Sequence, residues 1–225
     1  VTVAYATVVE LAEHLGLSES LSAGVIGSTV KTAKFQRALD MATALVDQDT
    51  NRTFTSVTET RSLPSFGGDT LWIPDLLSVT TLLVDDNSDG TYETTLTAGT
   101  DYQLERHYRA ASSWPYEYIS RFDALWPRGV MSDRRRRLVR ITGVWGWTAV
   151  PDAIVNATLL LAARGVQRGN AALGVQNFGA DIGVMGIRTS DPDYLYAVQH
   201  YRKELPGEPS DWLRVRDRFV AETQA

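Results

Sequence analysis

The sequence predicts an α+β chain: a helical core of about four to five helices drawn from both ends, with a β-rich insertion between them. Three observations predict it. Apolar residues recur at helical spacing near the N-terminus and again over 32–49. From Arg52 the period changes to an alternation rich in Thr and Val, which suits strands. After Trp147 a proline introduces a helix that is almost wholly apolar. The division is therefore 1–51 and 148–225 for the helical core with a C-terminal arm, and 52–147 for the β-rich insertion.

The first helix is signed by Thr7 and Glu10, which have the spacing of a capping box. Val8, Leu11, Ala12 and Leu15 give it an apolar face, and Gly16 follows as a C′ residue. A second helix runs from about Thr32 to Asp49, with Phe35, Leu39, Ala42 and Val46 on one stripe and Ala38 and Leu45 beside them. Strands are expected over 54–61, 71–73, 79–84, 92–96 and 102–104, with Asp85-Asp86-Asn87-Ser88-Asp89-Gly90 as dense turn chemistry. Residues 106–136 read as irregular and rich in aromatics, and 138–144 returns to strand.

Pro151 is expected in the first turn of the next helix, with Asp152 favouring its positive end. Ile154, Ala157, Leu160, Leu161 and Ala163 leave little polar surface, so neighbours should bury this helix nearly all round. Glycines crowd 169–187, as a loop or a loose hairpin. Asp191-Pro192 opens another helix, with Leu195, Val198 and Tyr201 as its inward-facing candidates. Pro206-Gly207-Glu208-Pro209 breaks the chain before a last amphipathic helix.

Composition narrows the function classes. Of 225 residues 44% are hydrophobic, enough for a substantial core, yet no run reaches the roughly 18 apolar residues of a membrane span. The absence of cysteine removes disulfides, thiolate nucleophiles and Cys-based zinc sites together. With 27 acidic against 22 basic residues the net charge is −5, so bulk charge gives no general affinity for nucleic acid.

No catalytic constellation emerges. His14, His107 and His200 have no i, i+4 partner, no G-x-S-x-G activates a serine, and the glycine-rich stretch lacks a phosphate-binding lysine. Asp85, Asn87, Asp89 and Gly90 match the first half of a calcium loop. The twelfth position is Leu96 rather than a bidentate Glu, and a hairpin turn explains the same residues, so no metal and no cofactor is assigned. Arg134, Arg135, Arg136 and Arg137 form a basic cluster. It fits inter-subunit ion pairs, a solvated strand entrance, or DNA phosphates. The C-terminal helix interleaves Arg214, Arg216 and Arg218 with Trp212, Leu213 and Phe219. It fits either a helix folding back on the core or an arm whose aromatic and Arg anchors dock on a partner.

The order of short motifs resembles a family. Tyr5-x-Thr7, Glu10-Leu11 and Leu15-Gly16 come first, then Ala44-x-x-Asp47-x-x-Thr50-x-Arg52-x-Phe54. Leu71-x-Ile73-Pro74-Asp75-Leu76, Ser78-Val79-Thr80, Gly143-x-Trp145-Gly146-Trp147 and Val150-Pro151 follow. Phe178-Gly179, Asp191-Pro192-Asp193 and Tyr201-Arg202 complete the series. Together, over about 5–203, these resemble the head–tail connector (adaptor, or head-completion) proteins of long-tailed bacteriophages. The β insertion is longer than in the smallest members, and the final helix is a weaker match.

The resemblance implies a non-enzymatic structural protein of the virion neck, made in the host cytoplasm. It implies a ring, typically of twelve copies, beneath the portal protein, extending the DNA channel and giving a stopper or tail-terminator protein its platform. DNA would pass through without specific binding, and no membrane is involved. Trp212, Leu213, Arg214, Arg216, Arg218 and Phe219 would then meet the portal. Arg134 to Arg137 would face a neighbouring subunit or the DNA. The alternatives are a different neck protein (stopper or tail terminator), a calcium-stabilised binding module, and an enzyme whose site has no recognised motif.

Overall fold

Thr7 starts the first helix, α1 (Val8–His14), through a complete capping box: its hydroxyl accepts from the Glu10 amide, and the Glu10 carboxylate accepts from the Thr7 amide. Gly16 N donates to Glu13 O and Leu17 N to Ala12 O, the paired bonds of a Schellman end. The computed structural model describes residues 3–17, 29–106, 113–128, 137–168, 175–177, 184–186 and 192–203. Helix α2 (Thr29–Thr50) is longer than its apolar stripe predicted. Phe35, Leu39, Ala42 and Val46 are buried as expected, Ala38 is half-buried, and Leu45 is exposed. Asn51, in the left-handed conformation, ends the helix and turns the chain toward Arg52.

The main sheet is built from β1 (Val57–Leu63), β2 (Thr70–Val84), β3 (Thr94–Leu96), β4 (Tyr102–Glu105), β5 (Tyr116–Arg121) and β6 (Val139–Trp145). Its order is β1-β6-β2-β5-β4, with β3 beside the end of β2, and every pairing between these strands is antiparallel. Three expectations are corrected here. The segments 71–73 and 79–84 are one strand; its register shifts between Trp72 and Leu76, where Pro74 has no N–H for the ladder. The strand expected from Phe54 begins at Val57, because Phe54 is a fully buried anchor before the sheet. Residues 116–121, read as irregular, form β5, whose alternation buries Glu117 and Ile119.

Helix α3 (Asp152–Arg168) follows β6, and Pro151 precedes it as the cap: its carbonyl accepts from Ile154 and Val155. The helix is buried on one side only. Ile154, Ala157, Thr158, Leu159, Ala162, Ala163 and Val166 are buried, while Asp152, Asn156, Gly165 and Gln167 are exposed and Leu160 and Leu161 lie half-buried. The sequence overstated its burial at Leu160 and Leu161, which lie half-buried beside the open face that carries Asp152, Asn156 and Gln167. In the glycine-rich stretch, β7 (Val175–Asn177) and β8 (Val184–Gly186) pair antiparallel. Helix α4 (Pro192–Gln199) has Pro192 at its first position and buries Tyr194 and Val198, with Leu195 half-buried. Asp191 lies outside the described residues.

Three buried clusters result. One is made by strand residues and Trp126 alone, among them Leu71, Leu82, Ile119, Ile141 and Trp145. A second joins α1, α2 and α3 through Leu11, Phe35, Leu39, Leu159 and Ala162. The third lies where helices and sheet meet: Tyr5, Val46, Phe54, Trp147, Ile154, Tyr194 and Val198. Each fully buried Leu, Ile or Phe there contributes roughly 1.5–3 kcal/mol. No helix of the described residues is long and apolar enough to cross a membrane.

Candidate functional site

The densest concentration of polar chemistry sits at this third cluster. Arg52, just past α2, spans from helices to sheet. Its Nη1 donates to Asp75 Oδ1 at 2.6 Å, its Nη2 to Glu117, and its Nε to the Tyr201 carbonyl at 2.6 Å. Lys203 Nζ donates to Asp75 Oδ1 at 3.0 Å and to the Ile73 carbonyl at 2.7 Å. Trp147 Nε1 takes the other Asp75 oxygen at 2.7 Å. Two cations therefore meet two carboxylates, and the group is charge-balanced. The Arg52 guanidinium also lies 5.4 Å from the Trp114 ring centroid and 5.7 Å from that of Trp147.

Aromatic rings enclose this group. Trp114 stacks on Tyr201 with centroids 5.4 Å apart, and Phe54 packs against Tyr5, Trp147 and Tyr201. Tyr5 donates its hydroxyl to Asp47 while accepting from the Phe54 amide at 2.9 Å. Tyr194 OH donates to Asp49 at 2.6 Å. Burial, reinforced by these carboxylates, pushes both phenols well above their ordinary range. Burial also lowers the Lys203 ammonium from its usual value, against the pull of Asp75.

Two glycines let the sheet close on this group. A Cβ at Gly143 would lie 2.2 Å from the Ser78 carbonyl oxygen. One at Gly146, whose φ is +95°, would lie 1.9 Å from that of Thr55. Gly146 N donates to the Asp75 carbonyl, so the Trp-Gly-Trp segment is held against the same residue that Arg52 and Lys203 grip. A cleft of about 250 Å³ opens beside them, with Asp47, Asn51, Arg52, Asp75 and Lys203 in its walls. The arrangement acts as a clamp between helices and sheet.

No protein-family profile matches the chain, and no curated protein does. Among solved structures it is similar to a chain of the neck of an empty GTA (gene transfer agent) particle computed with C6 symmetry. Identity there is 22% over 89% of this chain and 91% of that one, with a TM-score of 0.49. A chain of the neck of a native GTA particle computed with C12 symmetry is similar at 19% identity over the same shares, with a TM-score of 0.47.

The residues singled out in the sequence divide into three groups. The motif residues Tyr5, Asp47, Arg52, Phe54, Asp75, Gly146, Trp147 and Tyr201, up to 196 positions apart, converge on the clamp. Glu117, Lys203 and Tyr194 belong to it but were missed. For Glu117 the signal was the alternation of 116–121, hidden within a segment read as irregular.

Arg137 is exposed, and its carbonyl accepts from Tyr92 OH, over whose ring Arg140 lies at 3.9 Å. Arg134, Arg135 and Arg136 lie outside the described residues, as do Trp212, Leu213, Arg214, Arg216, Arg218, Phe219 and His107. His14 ends α1, and His200 packs edge-on to Tyr196.

The Asp85–Gly90 segment is a turn between β2 and β3. The buried Asp85 carboxylate accepts from the Asp89 amide at 3.1 Å and the Gly90 amide at 2.8 Å. Asp89 in turn accepts from the Thr91 amide. Carboxylate oxygens of Asp85, Asp89 and Glu93 come within 4.8 Å of one another. Two of these three acids are already used to hold the turn's own backbone.

Proposed function

We propose that this chain is a structural head–tail adaptor of a tailed phage or phage-like particle, forming a ring beneath the portal. In that reading the ring extends the DNA channel and gives a stopper or tail-terminator protein its platform. One observation carries it. Residues from five of the motifs on which the family resemblance rests, Tyr5, Asp47 with Arg52 and Phe54, Asp75, Trp147 and Tyr201, form one bonded and stacked unit. A motif order imposed by a single packed clamp is a property of a whole architecture.

The two units of this reading are the helical part, 1–51 and 148–225, and the β part, 52–147. Lys203, the last described residue, is fixed by its amide to Thr50 O and its ammonium to Ile73 O. That gives the C-terminal arm a rigid point of departure. Trp212, Leu213, Arg214, Arg216, Arg218 and Phe219 are assigned to the portal contact, and Arg134 to Arg137 to a neighbouring subunit or the channel. An acidic chain suits a channel through which DNA slides without being held.

The test is light scattering of the purified chain mixed with portal rings of the same particle. A ring-sized complex is expected, lost on deletion of residues 207–225. A chain that ignores portals but joins tail components would move it to a stopper or tail-terminator position. A deletion variant that still joins portals would remove the arm from the contact.

A further inference from the structure

We infer that β1 is a self-complementary sheet edge through which two copies of the chain pair antiparallel, centred on Thr60. β1 is an outer strand of the main sheet and pairs with β6 from Val57 to Leu63 without a register break. Among the described residues, no backbone–backbone bond outside that pairing engages it, and its Glu59 carbonyl accepts from Trp145 Nε1 at 3.0 Å. Val57 to Thr60 are exposed, Val57 at 46%, while Arg61, Ser62 and Leu63 are half-buried, Leu63 against the sheet core. Val57, Glu59, Arg61 and Leu63 lie opposite the buried Trp145, Gly143, Ile141 and Val139 of β6. The sheet's inward face thus runs on past its cover at this edge.

The guards this edge carries are its two inward-face charges, Glu59 and Arg61, which admit only a strand of matching charge order. β1 contains no proline, no lysine and no bulge. Its two charges are turned on each other, since Arg61 Nε pairs with Glu59, and the Arg61 guanidinium rests 4.7 Å from the Trp145 ring centroid. Such a strand is a template for another strand, and its own sequence selects which one.

Val57-Thr58-Glu59-Thr60-Arg61-Ser62-Leu63 has the same chemical classes in both directions about Thr60. Antiparallel pairing about that residue sets Val57 against Leu63, Thr58 against Ser62, Glu59 against Arg61, and Thr60 against itself. Each is a favourable cross-strand pair, and the four charges alternate on one face. Centring instead on Glu59 or Arg61 opposes like charges, so the register is specified. The contact is isologous and closes at two copies, unlike the head-to-tail contacts of a ring. It is a property of the free chain and does not rest on the adaptor reading.

The test is sedimentation of the full chain across a dilution series at low salt. A reversible dimer, of twice the 24.8 kDa chain mass, is expected. Glu59→Arg and Arg61→Glu should each raise the dissociation constant at least about tenfold, because each opposes like charges. An equimolar mixture of the two variants should pair again, since each strand then meets its complement. Hydrogen exchange on the unsubstituted chain needs no variant: amides within 57–63 should gain protection as concentration rises. A chain that stays monomeric throughout, a Glu59→Arg variant that pairs as well as the parent, or a mixture no tighter than its components would overturn the inference.

Discussion

Replacing Arg52 with Met tests whether the clamp holds the two halves together. The Arg52 side chain is 4% exposed, and those of Asp75 and Glu117 are 6% each. Asp75 would keep Lys203 and Trp147 as partners. Glu117 would lose the one hydrogen-bonded partner it has among the described residues, leaving a buried carboxylate uncompensated. Breaking a buried pair from one side costs about 3–5 kcal/mol. For a chain of this length each kcal/mol moves the melting temperature by about 2–4 °C, so a fall of about 6–20 °C is expected. Urea unfolding followed by tryptophan fluorescence measures it directly, since Trp114 and Trp147 flank the guanidinium. Adding Glu117→Gln to Arg52→Met removes the stranded charge and should recover at least about 1 kcal/mol. A loss under about 1 kcal/mol for Arg52→Met, or strictly additive losses in the double variant, would refute the reasoning.

Gly146→Ala should destabilise by at least about 3 kcal/mol, because it combines a positive φ with a Cβ placed 1.9 Å from the Thr55 carbonyl oxygen; thermal unfolding checks it, and a near-neutral outcome would mean the 55–56 segment yields freely. Stability should also fall as pH rises above about 10. Tyr5 and Tyr194 ionise from their ordinary value of 10.0 once unfolded, but keep their protons in the fold, so the unfolded chain binds fewer protons there. Tyr102 and Tyr201 shift the same way, while Lys203, lowered from 10.5, opposes them among the described residues. Denaturant midpoints between pH 9 and 11, flatter in Tyr5→Phe and Tyr194→Phe, are the check on the sign.

Local structure was legible in the residues, because caps, turns and apolar periods act over a few positions. Thr7 with Glu10, the stripe Phe35-Leu39-Ala42-Val46, and Asp85 to Gly90 all do in the fold what their spacing implied. The sequence also supplied most of the clamp as a list of motif residues, without saying that they touch. The folded chain alone reveals that Arg52 reaches Asp75 across 23 positions, Glu117 across 65 and the Tyr201 carbonyl across 149. It merged 71–73 with 79–84 by tolerating Pro74 at a register shift, and it drew 116–121 into the sheet beside β2 and β4. It left β1 as the outer strand among the described residues of the sheet. Pairing partners, burial of charge and strand order depend on which distant segments meet, and no local period encodes that.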